Sequence, residues 1–368
     1  MFYIKIIKYI IYFSVLLYNK YIKLKNMKKV LVTGGAGFIA HHLIRHLLLN
    51  TDWEVTSLDR LDYSGNLNRI SDMMTEFDKN IQKRVKIIFH DLKSEINEML
   101  ENNLGNFNYI IHLAASSHVD RSIEDPLSFV MDNVVATCNI LNFARKNSNL
   151  ERFIYFSTDE VFGPAPKGIN YKERDRYNST NPYSATKAGG EELAVSFENT
   201  YNMPIYITHT MNVFGERQHP EKFIPLSISK IKRNKAVTIH SDETKKIPGS
   251  RHYIHASDVA DGCLFLLQNE KKISKIKKDF GGAKCPKFNL VGPEEINNLE
   301  LAKMIAKAQN KELKYEMVDF HSSRPGHDLR YALDGNLMKN LGWIPKIDIT
   351  ERINQVVQWT LKNDRWLK

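Results

Sequence analysis

The stretch Lys28–Leu48, KKVLVTGGAGFIAHHLIRHLL, runs from an apolar segment through three glycines into a segment whose apolar residues have helical spacing. Val30, Leu31 and Val32 predict a buried strand. Gly34, Gly35 and Gly37 let the backbone turn tightly and approach a pyrophosphate. The free N–H groups and dipole at the start of the following helix attract such an anion. Glycine clusters are common, and this one gains weight from its place between a strand and an amphipathic helix. A second strand, residues 54–58, ends in Asp59, an acid placed to take ribose hydroxyls. Its charge opposes the additional phosphate of NADP, so NAD is the expected cofactor, with Arg60 as the one neighbour arguing otherwise.

Further along, residues 85–89 form a third apolar run ending in His90-Asp91-Leu92, where Asp91 is placed to accept from an adenine amino group. A fourth, residues 109–113, opens into Ala114-Ala115, small residues that leave room for a cofactor. Gly34, Gly37, Phe38, Ile39, Asp59, Asp91, Leu92, Leu113, Ala114 and Ala115 are therefore the expected cofactor contacts. A helical stretch over 127–146 then leads to a strand over 152–156, so β and α segments alternate. That alternation predicts an α/β fold, a Rossmann-type doubly wound parallel sheet. Beyond Met211 short strands, helices and Pro/Gly loops predict a smaller C-terminal α/β substrate lobe. The expected division is an extension over 1–26, a cofactor domain over 27–211 with some later segments, about 250–268, returning to it, and a stretch over 212–368 that is mainly a substrate lobe.

The strand over 152–156 delivers Ser157, Thr158, Asp159 and Glu160 where open α/β sheets place their ligands. Downstream, TNPYSATK opens a helix on which Tyr183 and Lys187, four residues apart, share one face. An ammonium beside a phenol favours the phenolate, giving a base that can take an alcohol proton while a hydride leaves the same carbon.

Composition sets the bounds. The 368 residues suggest about two domains, and an apolar share of 42% is that of a globular protein with a sizeable core. The net charge is +10, but residues 1–26 hold five lysines and no acid, which leaves +5 for the rest once these are set aside. No nucleic-acid footprint is required, and the lysine run over 271–278 reads as a solvated segment. Cys138, Cys263 and Cys285 form no CxxC pair, so neither a disulfide framework nor a zinc site is indicated, and a reducing, cytoplasmic setting fits. His41 and His42 are adjacent and read as surface or packing residues; no metal is expected. The longest uncharged run in the first 26 residues, 9–19, is about half a bilayer span, so no membrane partner is expected. Their composition changes abruptly at Met27, and the expectation is that the functional domain starts there, with a weak signal-anchor or an interfacial helix with snorkelling lysines as the other readings of 1–26.

TGGAGFIA, HLAASSHVDRSI, STDEVFG, TNPYSATK, NVFG with HPEKFIP, RHYIH, FNLVG and RPGHDLRYALD together resemble the extended short-chain dehydrogenase/reductases, and among them the nucleotide-sugar dehydratases, closest to dTDP-glucose 4,6-dehydratases. The resemblance covers most of the chain from Lys28, and STDEVFG is its discriminating part, since 4-epimerases usually lack the acid pair. It implies that Thr158, Asp159, Glu160, Tyr183 and Lys187 are catalytic, with Tyr183 and Lys187 also touching NAD. It implies that Ser117, Thr158 and Asn212 lie near the sugar, and that Lys222, Phe223, Arg251, Asn289 and Arg324 hold the nucleotide or its diphosphate. The implied reaction oxidises C4 of a nucleoside diphosphate glucose, eliminates water across C5 and C6, and returns hydride to C6. Glu160 would take the C5 proton and Asp159, protonated, would serve the departing hydroxyl. Two neighbouring carboxylates suit that division because their repulsion keeps one protonated.

Ala40 replaces the third fingerprint glycine and is small enough for close helix packing. Val213 replaces a second asparagine usual in the dTDP-glucose enzymes, and residues 242–249 read as an insertion before Arg251, so the base stays open between dTDP and UDP. A nucleotide-sugar epimerase or decarboxylase on the same fold is the alternative. A non-catalytic dinucleotide- or RNA-binding protein is the alternative from another class. Apolar residues over 193–197 and on the 127–146 helix match a homodimer interface or core packing.

Overall fold

The computed structural model describes residues 27–276, 285–319 and 329–368. Val30, Leu31 and Val32 are wholly buried, as residues of a strand covered on both faces must be. They lie in β1 (Lys29–Thr33), followed by β2 (Glu54–Asp59), β3 (Val85–Phe89), β4 (Tyr109–His112), β5 (Arg152–Thr158) and β6 (Ile205–Thr210). The later strands are β7 (Asn212–Phe214), β8 (Val237–Ser241), β9 (Ser250–His255), β10 (Lys287–Leu290), β11 (Glu295–Asn297) and β12 (Tyr315–Asp319). A seven-stranded sheet has the order β3-β2-β1-β4-β5-β6-β10. Every neighbouring pair in it is parallel. The strand order reverses between β1 and β4, and the crevice outside the carboxyl ends there is where such sheets bind ligands.

Helix α1 (Phe38–Asn50) begins at Gly37, which offers no capping side chain and leaves the terminal N–H groups to a ligand. Helix α2 (Pro126–Ala144) starts with proline behind the capping carboxylate of Asp125 and is widened to a π turn over Met131–Val135. Helix α3 (Pro182–Tyr201) is fixed at its start by a capping box between Asn181 and Ser184 and stopped by Asn202, left-handed at φ 56°. Helices α4 (Phe223–Lys232), α5 (Ala256–Gln268), α6 (Asn298–Ala308) and α7 (Ile349–Lys362) follow.

Leu43, Ile44 and Leu47 of α1 pack with Val259, Cys263 and Leu266 of α5 on one face of the sheet. Ile140 and Leu141 of α2 and Ala194 of α3 cover the other. Each fully buried aliphatic side chain contributes about 1.5–3 kcal/mol. The lobe has its own core, where α4, α6 and α7 bring together Ile228, Leu301, Ile305, Ile353 and Val357 against Ile239 of β8.

The structure departs from the sequence-based division in two places. Of the segment 250–268 expected to return to the cofactor domain, only α5 does so; β9 pairs with β7 and β11 in a separate three-stranded sheet. Residues 287–290, within the stretch expected to be mainly lobe, complete the main sheet against β6. The adjacent His41 and His42 are both buried, with ring centroids 4.1 Å apart, and serve packing.

Candidate active site

The cleft opens where β1 ends. Gly34 has φ +67°, and a Cβ there would lie 2.9 Å from Cα of Ala114. A Cβ on Gly37 would lie 2.8 Å from the Gly34 carbonyl oxygen. The tight loop and the uncapped start of α1 form a cradle that fits a pyrophosphate. Behind it a cavity of about 100 Å³ is lined by Asp59, Asp91, Leu92, Leu113, Ala114 and Ala115, all expected cofactor contacts. The Asp59 carboxylate accepts from the backbone N–H groups of Ala36, at 3.0 Å, and Leu61, at 2.7 Å. It therefore braces the glycine loop as well as facing the cavity.

Gly34, Gly37, Leu113 and Ala115 also border a larger cavity of about 330 Å³, which extends over the ends of β4, β5 and β6 toward the lobe. Phe38, Ile39, Ser117, Thr158, Asp159, Glu160, Tyr183 and Lys187 line it from the sheet side. Asn212, Lys222 and Phe223 line it from the lobe. The two halves of the expected site thus meet in one cleft.

Strand β5 runs two residues further than its apolar pattern suggests, so Thr158 is its last residue and also caps the 3-10 turn Asp159–Phe162. That turn presents Asp159 and Glu160 side by side. The Thr158 hydroxyl donates to Asp159 Oδ1 at 3.0 Å, and Asn181 Nδ2 donates to Glu160 Oε2 at 3.1 Å. Asp159 Oδ2 is buried and has no hydrogen-bond partner among the described residues. Burial, reinforced by Glu160 and opposed by Arg251, pushes the Asp159 carboxyl up to about 7. The sequence argument named repulsion between the acids as the cause; desolvation is the larger one.

The Tyr183–Lys187 pair also behaves differently from its sequence-based description. Burial pushes the Tyr183 phenol above its ordinary value, with Glu160 adding to the rise and a hydrogen bond to Thr158 opposing it. Burial brings the Lys187 ammonium down to about 7. Lys187 Nζ donates to the carbonyl oxygen of Phe156 at 2.6 Å and lies 4.4 Å from the Tyr155 ring centroid, so its charge is directed onto β5. In the protein alone Tyr183 is therefore a neutral phenol.

Two of the expected substrate residues that are described fall outside the cleft lining. Asn289 is fully buried: it contacts His209 at 3.0 Å and donates to the carbonyls of Tyr171, at 3.1 Å, and Asp334, at 3.0 Å. The structure thus puts Asn289 in a buried hydrogen-bond network beneath the cleft rather than on its lining. Arg251 lies 4.6 Å from the Tyr331 ring centroid and donates to the carbonyls of Ser250 and Leu329, each at 2.6 Å. Its effect on Asp159 is through charge. Arg324 lies outside the described residues. Conversely Tyr63, His118, His219 and Glu221 line the cleft without having been singled out. His118 and Glu221 stand inside quoted motifs, whereas Tyr63 belongs to the loop after Asp59.

Such a cleft, with a glycine cradle at one end and a tyrosine, lysine and acid pair at the other, defines an extended short-chain dehydrogenase/reductase of the nucleotide-sugar dehydratase kind. The sequence profile of the GDP-mannose 4,6 dehydratase family matches residues 31–356, and the chain belongs to that family. It is 33% identical to the low-salt glycan biosynthesis protein Agl12 of Haloferax volcanii, over 91% of this chain and 99% of that protein. It is 32% identical to the dTDP-glucose 4,6-dehydratase of Salmonella typhimurium, over 92% of this chain and 94% of that one. Among solved structures, DesIV, a dTDP-glucose 4,6-dehydratase from Streptomyces venezuelae with NAD bound, superposes with a TM-score of 0.79 at 29% identity. That match covers 92% of this chain and 99% of DesIV.

Proposed function

We propose that this chain converts a nucleoside diphosphate glucose to its 4-keto-6-deoxy form with loss of water. The observation that carries this reading is Asp159: a buried carboxyl held up to about 7, with one oxygen unpartnered among the described residues and Glu160 beside it. Plain alcohol oxidation or epimerisation at C4 needs no such acid pair. Similarity to dTDP-glucose dehydratases favours dTDP over UDP as the nucleotide.

NAD would be held by the Gly34–Gly37 cradle, Asp59 and Asp91, and when bound it supplies the hydride acceptor for C4 and the hydride donor for C6. The chain's own residues move the protons. Tyr183, hydrogen-bonded to Thr158 and one helical turn from Lys187, takes the C4 hydroxyl proton in its phenolate form, which the positive charge of a bound NAD nicotinamide would favour. A ketone at C4 acidifies the C5 proton, which Glu160 removes. Asp159 gives its proton to the C6 hydroxyl as water leaves, and a proton returns to C5 as C6 is reduced. Ser117 and Asn212 face the sugar, and Lys222 sets a positive charge toward the diphosphate.

The same reading takes the protein as a cytoplasmic homodimer. Pro126–Ala144 is the one helix among the described residues long and apolar enough to cross a membrane, and half of that window is buried. Its exposed apolar residues, Leu127, Val130 and Met131, form a face suited to a second copy. Free thiols at Cys138, Cys263 and Cys285 suit a reducing compartment.

The test is to incubate the full chain and NAD with dTDP-glucose and, separately, UDP-glucose, and to weigh the products. Loss of one water from either supports dehydration. A change of stereochemistry at unchanged mass would replace this reading with epimerisation, and decarboxylation would require a uronic-acid substrate.

A further inference from the structure

Arg60 follows Asp59 and lines the ribose end of the cleft. Unpaired, it would offer a planar, permanently charged fork to a phosphate on the adenosine ribose. The fold commits that fork to protein carboxylates. Asp132 accepts from Nη1 and Nη2 on its two oxygens at 2.5 and 2.7 Å. Asp62 Oδ2 accepts from Nε and Nη2 at 3.0 and 2.6 Å. Four of the five N–H donors of a guanidinium are thereby engaged. Asp91 stands 3.6 Å from Nη1, and Lys93 lies 3.4 Å from Asp91 and 3.9 Å from Asp132. Four carboxylates, Asp59, Asp62, Asp91 and Asp132, thus surround this end against two cations.

The two arms come from different walls. Asp62 belongs to the loop after β2, where its Oδ1 accepts from the backbone of Ser64 and Gly65 at 2.9 and 3.2 Å. Asp132 belongs to the π turn of α2. In a regular helix successive side chains point about 100° apart. The wide turn buries Asp132 and Asn133 together: Asp132 accepts from Ser116 Oγ at 2.6 Å, and Asn133 holds the Ser116 backbone. Such turns are often found at functional sites.

We propose that Asp62 and Asp132 decide which dinucleotide this site admits, by clamping Arg60 so that it cannot receive a ribose 2′-phosphate. The inference rests on the reading of the cleft as an NAD site and adds to it a discriminator other than Asp59. A 2′-phosphate has to displace two carboxylates from the guanidinium and then remain beside them.

NADH and NADPH are titrated by fluorescence into the full chain, into Asp62→Asn with Asp132→Asn, and into that pair carrying Arg60→Ala. The unaltered protein is expected to bind NADH the more tightly. In the double variant the ratio of the NADPH to the NADH dissociation constant falls at least tenfold, and Arg60→Ala restores it. General damage to the pocket would weaken both nucleotides alike and leave the ratio unmoved. Asp62→Asn alone, which keeps the Oδ1 acceptor for Ser64 and Gly65, is expected to lower the ratio severalfold and is the arm to read if the double variant does not fold. An unchanged ratio in a variant that still binds NADH, or a gain that survives Arg60→Ala, overturns the clamp. Failure of the unaltered chain to bind either nucleotide overturns the cofactor reading and the clamp with it.

Discussion

Lys187 Nζ and the carbonyl oxygen of Phe156 lie 2.6 Å apart, so the strand that carries Thr158, Asp159 and Glu160 also anchors the lysine of the neighbouring helix. The two catalytic segments are one mechanical unit. Lys187→Met keeps the length of the side chain but removes the anchor and the charge. It is expected to lower kcat by roughly 10²-fold, the scale of lost acid–base assistance, while KM for the nucleotide sugar changes little. Steady-state kinetics check this; a change confined to KM would move Lys187 out of the chemistry.

Asp159→Asn combined with Glu160→Gln should separate oxidation from elimination. Thr158, Tyr183 and Lys187 remain to oxidise C4, whereas the acid and base of the water loss are gone. NADH absorbance is expected to rise on mixing with substrate and to persist, and the 4-keto-6-deoxy product to fall by roughly 10²-fold or more. Dehydration at the unaltered rate would make both residues structural.

One pH dependence follows from Asp159, and the comparison with its amide variant isolates it. Its carboxyl ionises at about 7 in the folded protein against 3.8 when free. Between those values the folded chain holds a proton that the unfolded chain has lost, so this residue's contribution to stability declines as pH rises across that window. Asp159→Asn removes the decline. The variant is expected to melt above the unaltered protein at pH 8 and to lose that advantage toward pH 4, as followed by thermal unfolding. Elimination by the unaltered enzyme, which needs Asp159 protonated, is expected to slow above about pH 7.

Asn289 offers a test of whether its buried network or the substrate needs it. Asn289→Ala leaves His209 and two buried carbonyls without their partner. A loss of about 1–3 kcal/mol per unsatisfied group sets the scale, read as a lower denaturant midpoint. KM per folded molecule is expected to stay unchanged; a large rise in KM with no loss of stability would return Asn289 to the substrate.

The strands and the glycine turn were legible because each is encoded within a few residues: an apolar run, a Gly-rich break, an acid at a strand end. Tyr183 and Lys187 were legible for the same reason, since helical spacing places them together. What escaped depends on partners far apart in the chain. Arg60 is neutralised by Asp132, 72 positions away, and nothing local to either residue announces the pairing. The burial of Asn289 is decided by Tyr171 and Asp334. The ionisation of Tyr183 and Asp159 depends on how much solvent the fold removes, which no spacing reveals.

The seventh strand has a consequence for how the molecule is made. β6 ends at Thr210, but its hydrogen-bonding neighbour β10 begins only at Lys287. During synthesis the sheet therefore waits, with the β6 edge open, until nearly eighty more residues have left the ribosome. An open, apolar edge of a buried sheet invites pairing with other chains. A fragment cut at the apparent domain boundary near Met211 inherits that open edge permanently, so the cofactor-binding half is not an independent module that could be borrowed intact.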